Sequence, residues 1–221
     1  MNSEELLQAG RYDEALARLL AGEEGSPTVV RSLIRVRELL RARRYQEALV
    51  YFEAAPENFP GFDLARIRSG LEVLLRGEGS PELWDDPVLG AEARTLAGIE
   101  RAKDGQFDLA QEQFLLALHA DPGHYRAKVN LANTYAEQGD LERATELYQE
   151  VIRDAPDYPD AHYNLAAVLR RQGRLGPSVD HLKKAERLRV RQGAGEVPRR
   201  RFSWGWLWLG LALLAALAIF N

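Results

Sequence analysis

Gly105, Gly139 and Gly173 stand 34 residues apart, each inside a stretch otherwise made of strong helix formers. The middle one, in YAEQGDLERA (135–144), poses the question sharply, because glycine in a helix interior costs roughly 1 kcal/mol relative to alanine. The same interval separates Pro122 from Pro156, Ala110 from Ala144, and Phe114 from Tyr148. Several coincidences at one spacing mark a structural repeat. Each position then has a role in a helix–turn–helix unit. The glycine ends the first helix in the left-handed conformation that a residue without a Cβ adopts freely. The alanine is small where two helices approach, and the aromatic residue one turn further fills the groove between them. The proline closes the second helix. The expected fold class is all-α, a solenoid of paired helices.

This pattern resembles the tetratricopeptide repeat. Residues 125–158 carry the resemblance most fully, through Leu131, Ala132, Tyr135, Gly139, Ala144, Tyr148 and Pro156. Residues 91–124 carry it through Ala97, Gly98, Gly105, Ala110, Phe114, Ala117 and Pro122, with Arg101 in place of the tyrosine. Residues 159–192 keep His162, Leu165, Ala166, Gly173, Leu182 and Ala185, and depart at Leu169, Pro177 and Ser178. Pro177 fits the first turn of a second helix. Upstream, AGRYDEALARLL (9–20) and RRYQEALVYFEAAPENFP (43–60) look like second helices of the same motif. The expected organisation is therefore helical hairpins over 1–62, a shortened repeat over 63–90 and three units over 91–192 (91–124, 125–158, 159–192). A basic linker over 193–201 and a transmembrane helix over 202–220 complete it.

The last element rests on hydropathy. Phe202 to Phe220 is 19 residues without a charge. As a helix it would span about 28 Å, close to the apolar thickness of a bilayer. Trp204, Trp206 and Trp208 crowd its start, directly after Arg199, Arg200 and Arg201, where interfacial aromatics and a basic collar belong. The net charge of −4 divides accordingly: residues 183–201 carry +6, and residues 1–182 carry −10. An acidic body is not the pattern of a nucleic-acid binder. The opening MNSEELLQAG is acidic and lacks an apolar core, so no secretory leader is expected there. These features predict a single-pass membrane protein, anchored by its tail, with the repeat domain in the cytoplasm. Ala212 and Ala216 form a small-xxx-small pair that would favour self-association of the span.

No phosphate loop, nucleophile elbow or zinc-binding helix pattern is present, and the chain has no cysteine. His119, His124, His162 and His181 lack carboxylates at ligand spacing. No enzymatic activity, metal or cofactor is expected. The resemblance implies instead that the first helix of each unit lines a concave face that binds protein partners. Carried onto this sequence, that face comprises Glu92, Thr95, Ile99 and Lys103, then Arg126, Val129, Asn130, Asn133 and Glu137. Asp160, Tyr163, Asn164, Arg170 and Arg171 continue it. Asn130, Asn133 and Asn164 are apt because an amide pairs with both polar groups of a peptide backbone. The carboxylate clamp of one subfamily is incomplete here, since Val129 replaces its lysine. The expected function is a membrane-anchored adaptor that binds a protein partner. The alternative is a constitutive assembly subunit of a membrane complex, possibly self-associating.

Overall fold

The computed structural model describes residues 1–53 and 63–193, and these are helical throughout. Four helices come first: α1 (Ser3–Gln8), α2 (Tyr12–Leu20), α3 (Pro27–Arg41) and α4 (Tyr45–Glu53). Then comes α5 (Leu64–Leu75), a 3₁₀ turn (Pro81–Leu83), α6 (Gly90–Lys103) and α7 (Phe107–Ala120). The array ends with α8 (Tyr125–Gln138), α9 (Leu141–Asp154), α10 (Pro159–Arg171) and α11 (Leu175–Gly193). Neighbours in sequence are neighbours in space, the contact order of a solenoid.

The period is visible in the backbone. Helices α7, α9 and α11 start at Phe107, Leu141 and Leu175, 34 residues apart, as do α8 and α10 at Tyr125 and Pro159. Gly105, Gly139 and Gly173 have φ of 75°, 92° and 77°. Each is a corner between antiparallel helices, so the glycine in YAEQGDLERA sits outside the helix it seemed to damage. Upstream corners also turn through positive φ, at Gly10, Arg43 and Gly77. Among the described residues Arg43 is the one with a Cβ at positive φ, and its φ of 58° is sterically strained. After Gly77 the shortened repeat continues only as the 3₁₀ turn. There Gly79 lies so close to α6 that a Cβ would stand 2.3 Å from the backbone nitrogen of Ala97. Only glycine permits that approach.

The interior divides into a large cluster over α1 to α6, centred on Tyr12, Leu33, Leu71, Leu74 and Leu89, and two smaller ones further along. Phe114 closes the junction of α7 with α6 and α8, and Tyr148, Leu165 and Leu169 close that of α9 with α10. The N-terminal half is tied to the repeats by polar links. The Tyr12 hydroxyl donates to the Pro87 carbonyl (2.6 Å), and Arg41 on α3 grips Asp121 at the α7–α8 corner through both its Nε (2.8 Å) and Nη2.

One expectation is corrected. The apolar segment 202–220, with Arg199, Arg200, Arg201, Trp204, Trp206 and Trp208, lies outside the described residues. Among the described residues no helix is long and apolar enough to cross a membrane. The longest, α11, carries Asp180, Lys183, Lys184, Glu186, Arg187, Arg189 and Arg191, a load of charge that a bilayer interior rejects. The expected single-pass localisation is therefore not supported by any helix among the described residues.

Candidate functional site

The first helices present a ladder of side-chain amides that crosses from one repeat into the next. On α8, Asn130 Nδ2 donates to the Arg126 carbonyl (3.0 Å), and Asn133 Nδ2 donates to Asn130 Oδ1 (3.3 Å). From α10, Asn164 Nδ2 donates to Asn133 Oδ1 (3.0 Å). The buried Tyr148 hydroxyl, on α9, donates to the same oxygen (2.5 Å). Burial, aided by the nearby Glu137 carboxylate, raises the Tyr148 pKa, so the phenol stays a donor at any ordinary pH. All three asparagines are half-buried. Asn133 is the hub, its Oδ1 filled from within, whereas Asn164 Oδ1 has no partner among the described residues. Asn133→Ala would leave the part-buried Tyr148 hydroxyl without its acceptor. A loss of about 1–3 kcal/mol is expected in a denaturant titration, while Asn164→Ala should change stability by less than about 0.5 kcal/mol.

Next to the ladder on α10, Tyr163 is 44% exposed and its ring lies under the Arg189 guanidinium (4.7 Å). Arg170 is exposed and makes no ion pair among the described residues. Arg171, also exposed, reaches back to donate to the Ala136 carbonyl of α8 (2.7 Å). Asn130, Asn133 and Asn164 are thus linked across α8 and α10, with Arg171 also holding α8 to α10, and Tyr163 and Arg170 are exposed on the same helix as Asn164.

Four residues placed on that face by the repeat pattern are elsewhere, among them Thr95, which is fully buried on α6 with its hydroxyl donating to the Ala91 carbonyl (2.7 Å). Glu92 and Arg126 are buried and paired with each other, and Val129 is buried in the core cluster of α8 to α10. Glu92 and Arg126 are inward because Tyr45 of the N-terminal half packs across the start of the array and converts groove positions into an interior junction, whereas Val129 is covered by the repeats themselves. Around Glu92, Arg126 Nη2 and the Tyr45 hydroxyl converge on Oε1, and His124 Nε2 meets Oε2 at 3.0 Å. His124 Nδ1 accepts from the Ala127 N–H (3.2 Å), so the imidazole proton must sit on Nε2 and point at the carboxylate. Burial alone would raise the Glu92 pKa; the His124 hydrogen bond, the Arg126 charge and Tyr45 outweigh it and hold the carboxyl below its ordinary range. Burial and the adjacent Glu92 push Tyr45 up to about 12. Nothing in the sequence marks Tyr45 as a member of this knot, since it lies 47 residues from Glu92.

His162 and His181 form a second polar couple. His162 Nε2 faces the Pro156 carbonyl and its Nδ1 faces His181 Nδ1, both at 3.0 Å. A carbonyl only accepts, so His162 is protonated on Nε2 and receives the His181 proton on Nδ1. Both rings are used in joining α10 to α11. Among the described residues no group of three or more histidine, aspartate or glutamate side chains is placed to hold a metal ion.

Family models match two overlapping parts of the chain: a tetratricopeptide repeat over residues 101–152 and a TPR repeat over residues 132–173. No curated protein matches the sequence. Among solved structures the chain is similar to MamA of MSR-1 in its C2 form, at 19% identity and a TM-score of 0.44, over 76% of this chain and 99% of that one. MamA of AMB-1 in its P2₁2₁2₁ form follows at 18% identity and a TM-score of 0.44, over 71% of this chain and 96% of the other. A further MamA crystal structure covers 88% of this chain and 98% of its own, at 16% identity and a TM-score of 0.44. With paired helices turning at glycine every 34 residues and family models matching the same region, the chain carries a tetratricopeptide-repeat array over residues 101–173.

Proposed function

We propose that the chain is a non-enzymatic scaffold that binds a protein partner, as an extended segment, along the face formed by α8 and α10. The observation that supports this reading is the amide ladder. It fixes Asn164 from one side through Asn133 and leaves its carbonyl oxygen turned to a surface that also holds Tyr163 and Arg170. An aromatic plate, a pre-oriented amide and an unpaired guanidinium are the groups that recognise a peptide backbone and an acidic side chain. The deeply buried carboxylates, Glu92 and Asp121, are bound to arginines and face inward, so they offer no acid–base chemistry at this surface.

Photo-cross-linking from position 163 or 164 in whole cells, against position 115 on the second helix α7, tests the assignment. Capture of a discrete protein is expected from α10 and not from Leu115. Arg170→Glu with Tyr163→Ala should weaken that capture about ten- to a hundred-fold, the loss expected of two interface anchors, without moving thermal unfolding. Equal capture from all three positions would refute the groove.

A further inference from the structure

Helix α11 ends the array with an apolar stripe turned outward. Leu175, Val179, Leu182 and Val190 are 62%, 48%, 47% and 62% exposed, and they share one side of the helix, interrupted by Glu186. The repeat register says what such a stripe is for. The residues 34 positions earlier are Leu141, Thr145 and Tyr148 on α9, and there they are covered by the next first helix, α10. Tyr148 is buried against Leu165 and Leu169, and Gln172 of α10 donates to Thr145 Oγ1 (3.3 Å). The outer side of α11 is therefore a seat for a further helical layer, where a solenoid normally carries a polar cap.

Charge selects the occupant. Helix α11 bears five basic and two acidic side chains. Lys184, Arg189 and Arg191 are engaged with Asp157 and Asp160, while Lys183 and Arg187, beside the stripe, make no ion pair among the described residues. Two α11 stripes face to face would bring like charges together, which disfavours a symmetric dimer. The opposite end of the same molecule has the complementary character. Residues 1–26 carry six acidic and two basic side chains. A cleft of about 190 Å³ opens there, floored by Leu7, Leu19 and Val29 and rimmed by Glu4 and Glu24. Glu5, Asp13, Glu14 and Glu23 are paired within the chain, whereas Glu4 and Glu24 are not among the described ion pairs.

From these features we infer that the chain associates with a second copy of itself head to tail, the α11 stripe of one copy seated on the acidic α1–α3 cleft of the next. Leu182 and its neighbours supply the apolar anchor, and Lys183 and Arg187 meet Glu4 and Glu24. Such a contact is heterologous, and one that does not close adds copies without limit. It uses a surface separate from the α8–α10 face.

Sedimentation of the full-length protein tests this. The mass is expected to climb with concentration past that of a dimer. Leu182→Glu should weaken association about ten- to a hundred-fold, as loss of one leucine anchor does, with unchanged helicity because the site is exposed. Lys183→Glu with Arg187→Glu should weaken it too, and adding Glu4→Lys with Glu24→Lys should restore it. Leu182→Glu protein mixed with Glu4→Lys/Glu24→Lys protein should stop at a dimer, since each retains one competent end. Tyr163→Ala should leave the mass unchanged, which separates failure here from failure of the partner groove. A monomer at all concentrations, association indifferent to Leu182→Glu (as from residues 202–220), or charge reversal without rescue would each overturn the inference.

Discussion

Replacing Glu92 with alanine is expected to remove about 3–5 kcal/mol of stability, because it leaves the Arg126 guanidinium buried without its counter-charge. For a domain of this size that is a fall in thermal midpoint of about 10 °C or more, readable by circular dichroism. The origin is the removal of one partner and not the worth of the pair itself. The paired replacement Glu92→Met with Arg126→Met, which takes both charges away and keeps volume, should therefore recover much of the loss. Acid gives an independent readout. Glu92 and Asp121 are both held below the ordinary carboxylate range in the folded chain; burial opposes this, and it is overcome at Glu92 by His124 and Arg126 and at Asp121 by Arg41. A carboxylate with a depressed folded pKa contributes stability that is present above its unfolded pKa and lost as pH falls through the folded one. Stability should therefore hold above about pH 5 and fall steeply below it, and the Glu92→Ala protein should lose stability less steeply through that range. An unaltered acid limb would show that the knot carries no linkage.

Phe114→Ala is the second large effect, expected to cost about 3–5 kcal/mol in a denaturant titration. Phe114 is fully buried, and its ring lies over Gly98 so closely that a Cβ there would stand 2.5, 2.8 and 2.9 Å from three ring atoms. Gly98→Ala should accordingly cost about 1–3 kcal/mol by overpacking. The two positions share one space, so their effects should not add. Gly98→Ala combined with Phe114→Leu should be more stable than the sum of the single changes by about 1 kcal/mol. Strict additivity would mean that the ring and the glycine are not in contact.

Much of this architecture was legible in the chain. Gly105, Gly139 and Gly173 needed no partner to declare themselves, because a left-handed corner is a local demand that a residue type answers alone. Ala110 with Phe114, and Ala144 with Tyr148, likewise record the approach of adjacent helices at one-turn spacing. The corner at Arg43 carried no such signal, since arginine has no preference for the left-handed conformation that the closing backbone hydrogen bonds of α3 accompany there. The last helix was readable in period but not in exposure: Leu182 looked like a core residue by register, and it is exposed because no further helix follows among the described residues.

The candidate site was half legible. The period singled out Asn130, Asn133 and Asn164, and the fold joins the three in one hydrogen-bonded ladder. That Asn133 is consumed by Tyr148 and Asn164, while Asn164 keeps a free oxygen, depends on hydrogen-bond geometry between three helices. Glu92 and Arg126 were misplaced because the N-terminal half covers the start of the array, and a repeat pattern contains no information about what lies across it; Val129 is instead buried between the repeats' own helices.

What the sequence determined by itself was therefore periodic and local: helix, corner, small-against-large, and the spacing that stacks one pair on the next. What only the tertiary structure decided was which positions of equal pattern face water and which face another part of the chain. The physical reason is that helix and turn propensities act over a few bonds. Burial of Glu92 with Tyr45 and Arg126, by contrast, requires residues up to 81 apart to meet, and nothing short of the folded chain specifies that meeting.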